Sequence, residues 1–159
     1  MKVSLGKYPR SAKKERKISV KIDPWDTWNM DHTLALIIHP MLLQLKKTKH
    51  GSPYTDDEDI PADLNLDQEK HFAERWEWVL DEMIWAFSQI IDDDAESQFH
   101  SGNHDMIWED EEFEGIKIKK LSKGPKDTYK FDKEGWEKWH ERKRNGLKLF
   151  GKYFENLWD

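Results

Sequence analysis

Near the N-terminus, polar and apolar residues alternate in Lys2-Val3-Ser4-Leu5 and again in Lys17-Ile18-Ser19-Val20-Lys21-Ile22. A period of two is that of a strand with one buried face, so residues 1–22 are predicted to form a hairpin, joined by a basic connection from Pro9 to Arg16. The period then changes. After the turn Asp23-Pro24-Trp25-Asp26-Thr27, the residues Leu34, Ile37, Ile38, Met41 and Leu45 recur at helical spacing, with Asp26 or Thr27 as the expected N-cap. Pro40 removes a backbone donor inside this pattern and is predicted to kink or split the helix near His39. Lys46, Lys47 and Lys49 suit its negative end, and Gly51 stops it.

Residues 50–67 read as a long acidic loop containing Asp56-Asp57-Glu58-Asp59. A second helix is predicted from about Asp67 to Asp92, with Phe72, Trp76, Val79, Leu80, Met83, Phe87, Ile90 and Ile91 as its main stripe. Trp78 and Trp85 add a second stripe, which marks this helix as central. Between Asp93 and Lys130 the pattern is weak. The acidic run Glu109 to Glu114 reads as loop or exposed edge, and Ile116-Lys117-Ile118-Lys119 as a strand that pairs with Tyr129-Lys130-Phe131 across Gly124-Pro125. A last helix starts at Asp132 and carries Trp136, His140, Lys143, Leu147, Phe150, Phe154 and Leu157 on one stripe. Gly146 and Gly151 within it allow another element to come close. The expected fold is α+β: three main helices with an aromatic-rich core packed against a small antiparallel sheet or hairpin. It forms one domain over 1–159, divided into an N-terminal hairpin (1–22), a helical core (23–93), an acidic loop with short strands (94–131) and a C-terminal helix (132–158).

Composition sharpens this picture. Nine Trp, seven Phe and four Tyr supply an aromatic core despite a charged fraction of 36%. The absence of cysteine excludes disulfides, thiolate metal sites and cysteine nucleophiles. The basic N-terminus has no apolar segment of a secretory signal, and the longest apolar run, Leu34 to Ile38, is far too short for a bilayer, so no membrane association is expected. Charge is strongly segregated. Residues 1–49 hold 11 Lys/Arg against 4 Asp/Glu, residues 50–115 hold 2 against 21, and residues 116–159 hold 13 against 7. Internal pairing of basic ends with the acidic middle accounts for this most simply; the sharper reading is a polar molecule that steers charged partners.

Three constellations carry candidate chemistry. His100, His104 and Asp105 offer imidazole and carboxylate ligands for a metal, against the plainer reading of a polar loop. Glu74, Glu77 and Asp81, with His71 at the same spacing and Glu82 next to Asp81, form an acidic ledge on the second helix that could hold a divalent cation for catalysis. The ledge is similar to that of helical NTP pyrophosphohydrolases, but the second acid pair of that family is missing, and pairing with Lys138, Arg142 and Lys143 explains the ledge better. Aromatic and basic residues interleave at both ends. Lys13, Arg16, Trp139, Arg142 and Lys143 are therefore candidates for a nucleotide-like ligand, with core packing as the simpler reading of Trp139. The acidic middle argues against extended duplex nucleic acid. No phosphate-binding loop, dinucleotide fingerprint or nucleophile elbow is present.

Residues Asp26 to Ala35 (DTWNMDHTLA), continuing to Lys49-His50-Gly51-Ser52-Pro53, resemble a family of uncharacterised proteins encoded by tailed bacteriophages. Trp76 to Ile84 (WEWVLDEMI) and Asn145 to Trp158 (NGLKLFGKYFENLW) strengthen that resemblance, which covers most of the chain beyond about residue 17. It supplies no catalytic residues. It implies a phage gene acting in the bacterial host cytoplasm. The expectation is a non-enzymatic binding protein without a cofactor, directed at a host protein or a nucleotide-like ligand, with a homo-oligomer compatible with the sequence. The alternatives are a metal-dependent hydrolase of nucleotides or nucleic acid, and an adaptor in the virion or its assembly.

Overall fold

The structure is a computed structural model and describes residues 1–11 and 14–158. Its centre is α2 (Phe72–Ile91), against which α1 (Met30–Thr48) and α3 (Lys133–Lys152) both pack. Trp76, Val79, Leu80, Met83 and Phe87 of α2 are buried, as the helical period predicts, together with Ala35 and Leu42 of α1 and Leu149 of α3. The chain is α+β, and its strands fall into three separate two-stranded antiparallel sheets.

The first sheet is the predicted N-terminal hairpin, β1 (Lys2–Leu5) with β2 (Ile18–Lys21). Its apolar face of Val3, Leu5, Ile18 and Val20 is exposed. The second is a short pairing of β3 (His100–Ser101) with β6 (Lys130–Phe131). The third is a ribbon of β4 (Met106–Phe113) and β5 (Ile116–Lys123). Here the structure corrects the sequence reading. The run Glu109 to Glu114 is mostly strand, and β5 pairs with it rather than with Tyr129–Phe131. Glu109, Asp110 and Glu112 stand opposite Lys120, Lys119 and Lys117, so each repulsive run is neutralised by its neighbour. Glu114 (φ 51°) and Gly115 (φ 81°) close the ribbon in the doubly left-handed backbone that two-residue hairpin turns require.

Pro40 does not split α1, which is continuous from Met30 to Thr48. The carbonyl that loses its donor belongs to Leu36, and both residues are exposed, which leaves that turn of the helix open to water. Asp26 caps the turn before α1 rather than α1 itself: its carboxylate accepts from the Asp23 N–H at 2.7 Å. Asp132 caps α3 as predicted, accepting from the Gly135 N–H at 3.0 Å. The helix ends at Lys152 and is followed by a single turn, Phe154–Asn156.

The acidic stretch 50–67 is ordered by cations from the helices. Arg75 of α2, only 3% exposed, donates to the Thr55 hydroxyl (3.0 Å), the Thr55 carbonyl (3.1 Å), the Leu66 carbonyl (2.7 Å) and Asp57 (2.8 Å). Lys152 Nζ lies 2.7 Å from Asp56, 3.1 Å from Glu58 and 2.6 Å from Asp59. Tyr153 accepts from the Asp56 N–H and donates to Asp59 at 2.7 Å. Pairing of the acidic middle with the basic end is therefore realised inside the chain.

The folded chain exposes 12539 Å². A compact monomer of its 19.1 kDa exposes roughly 8,400 Å² by the usual size scaling. The excess has visible sources: two ribbons with little cover, and a gap between α1 and α3.

Candidate binding groove

α1 and α3 lean on α2 without meeting along their length, and a groove of about 670 Å³ opens between α1 and the C-terminal segment. α1 contributes Ile38, Met41, Leu42 and Leu45; the C-terminal segment contributes Phe150, Phe154, Leu157 and Trp158. Every lining side chain is apolar or aromatic. Leu42 is buried in the floor, whereas Met41 (63%), Phe154 (62%) and Trp158 (63%) stand exposed at the lips. Phe150 is held edge-on by Phe87 of α2, with ring centroids 4.9 Å apart, and edge-on by Phe154 at 5.6 Å. Those contacts fix one wall of the groove on the rigid core. Further along α1, Met30 and Leu34 are exposed on the same flank as Met41, because residues four and seven apart share a helix face.

The residues singled out in the sequence are placed elsewhere, and most are satisfied within the chain. Glu77 pairs with Lys49 at 3.0 Å, and that ammonium holds its carboxyl below the usual range. Asp81 pairs with Lys46 at 2.5 Å. Glu82 faces the opposite helix, where Arg142 grips both its oxygens at 2.7–3.2 Å. The ledge thus points two ways, and each of these three carboxylates already has a cation.

His100, His104 and Asp105 do not converge as a ligand set. His100 Nδ1 shares a hydrogen bond with the Tyr129 hydroxyl at 2.5 Å, and the His104 ring stacks on Tyr129 at 3.9 Å. Asp105 accepts from the Lys126 N–H at 2.8 Å, securing the loop before β6. Among the described residues, one acidic trio could converge on a cation: Asp56, Glu58 and Asp59. Lys152 already occupies that place.

The described nucleotide candidates are also engaged within the chain, although only Trp139 is buried and Arg142 stays exposed. Trp139 is buried, donates its indole N–H to Gln89 at 2.8 Å and is covered by the Lys143 ammonium at 3.9 Å. Burial there lowers the Lys143 pKa. Arg142 lies 4.0 Å over the Trp85 ring, and Arg16 lies 4.3 Å over the Tyr8 ring and donates to the Gly6 carbonyl. Lys13 lies outside the described residues.

No protein-family model, no curated protein and no solved structure matches the chain. No helix is long and apolar enough to cross a membrane among the described residues.

The sequence pattern identifies the apolar stripes of α1 and α3 but not how much of each stripe is covered. The signal that they exceed what one central helix covers lies in their width. Leu34, Ile37 and Met41 sit beyond the core-facing positions Ala35 and Leu42, and Phe154 and Trp158 continue past the end of α3. Trp25 and Trp28 are stacked at 5.9 Å and both exposed, a pairing that the sequence pattern does not announce.

Proposed function

We propose that the protein is a non-enzymatic binding protein that works by protein–protein association through the groove between α1 and the C-terminal segment. The observation that carries this reading is the all-apolar lining with Met41, Phe154 and Trp158 left exposed. Such contiguous exposed apolar surface marks interaction sites on soluble domains. A groove between two helices takes an amphipathic segment at spaced anchor residues, and methionine and aromatic side chains suit it. The burial of the Trp139 ring and the engagement of Arg142 and Lys143 with Glu82 and Trp139 support a protein over a nucleotide as partner. The resemblance to phage proteins points to an infected bacterial cytoplasm as the setting in which the groove meets its protein partner.

The test is site-specific photocrosslinking in the infected cell. A crosslinker at Met41 is expected to capture protein, and one at Leu43, on the other flank of α1, is not. Turnover of nucleotide or nucleic acid by the pure protein with magnesium or manganese would overturn the reading, as would an uncrosslinked Met41.

A further inference from the structure

We infer that a second copy of this chain covers the groove, forming a two-fold dimer. The inference rests on the groove being a protein-contact surface, and it names the first occupant. The amount of exposed surface carries it furthest. The chain shows about half as much area again as a compact monomer of 19.1 kDa, an excess of roughly 4,000 Å². An obligate homodimer covers roughly 1,000–2,500 Å² per chain. One such interface fits inside the excess.

Shape points the same way. A two-fold interface uses one patch on both copies, so that patch must carry both ridge and hollow. Here they lie side by side: Met30, Leu34 and Met41 form an exposed ridge on α1, and Ile38, Leu45 and Phe150 line the hollow beside it. The ridge of each copy can enter the hollow of the other.

Charge does not oppose a like partner. At this end of the helices Lys46 is paired with Asp81, Lys49 with Glu77, and Lys152 with its three carboxylates. With those charges matched inside each chain, two copies meet without a like-charge clash, and no partner of opposite net charge is needed.

Sedimentation equilibrium of the full chain tests this, on the wild type, Met41→Glu and Leu43→Glu. Wild type and Leu43→Glu are expected at twice 19.1 kDa. Met41→Glu is expected to dissociate, with Kd weakened by at least about a hundredfold, since tenfold per ridge counts twice across a two-fold interface. An unchanged helical circular dichroism spectrum shows that the variant remains folded. A wild type that stays monomeric up to its solubility limit overturns the inference, as does a dimer indifferent to Met41→Glu. If a monomer still crosslinks through Met41 to a different protein, the second copy is wrong and the groove reading stands. If a monomer captures nothing there, both are wrong.

Discussion

Replacing Gly146 by alanine tests whether α2 and α3 meet as closely as described. The added methyl would sit 2.5 Å from Ala86 Cβ and 2.5 Å from the Glu82 carbonyl oxygen. Carbon contacts settle near 3.5–4.0 Å, so the helices must part locally by about 1 Å. Neither obstacle is the free end of a flexible side chain; one is backbone and the other is buried on α2. Overpacking of this kind costs roughly 1–3 kcal/mol. Parting also stretches the bonds that span the interface, Arg142 to Glu82 at 2.7 Å and Trp139 to Gln89 at 2.8 Å, worth about 1 kcal/mol each when lost. Against this, alanine in place of glycine favours the helix by about 1 kcal/mol. The balance is a loss of about 2–4 kcal/mol, read as a lower midpoint in urea unfolding followed by tryptophan fluorescence. At Gly151, in the same helix, an added methyl would meet nothing within 4 Å, so Gly151→Ala is expected to gain up to about 1 kcal/mol. A Gly146→Ala protein as stable as wild type would refute the close approach.

Arg75→Met is expected to cost about 2–4 kcal/mol, because it strands Thr55 and the Leu66 carbonyl without a donor, and limited proteolysis should then cut within residues 50–67. Burial, helped by Asp59, pushes the Tyr153 phenol up to about 12 from 10.0. A raised folded-state pKa contributes stability that is complete below pH 10 and lost as pH climbs through about 12. Tyrosinate absorbance should therefore show one late-titrating group, absent from Tyr153→Phe. Gly115→Ala, at φ 81°, is expected to raise amide exchange across residues 106–123 by several-fold while the thermal midpoint of the helices stays put, since the ribbon stands apart from the core.

The helices are legible in the sequence because their determinants are local. Asp132 announces α3, and the stripe from Trp76 to Phe87 announces the central helix. The β4–β5 ribbon is not, because its determinant is an opposition of charges: Glu109 to Glu112 argue against a strand when read alone and for one only beside Lys117 to Lys120. Pro40 misleads for a related reason, since whether a proline breaks a helix depends on whether the orphaned carbonyl can reach water. The groove escapes because periodicity tells which face of a helix is apolar but not how much of that face its neighbours cover. Internal pairing of the segregated charges is expected from the sequence, but not its agents, Arg75 and Lys152, which are separated along the chain from the acids they hold.

The Lys152 contacts have a bearing on how the protein meets its surroundings. Many acidic loops borrow a dissolved cation for their order and lose it to a chelator. This one carries a counterion on a covalent tether: the Lys152 ammonium meets the same three carboxylates that a bound cation would. The arrangement is also a single point of control. Any change that removes that one ammonium leaves Asp56, Glu58 and Asp59, with oxygens within 4.8 Å of one another, facing each other without that counterion.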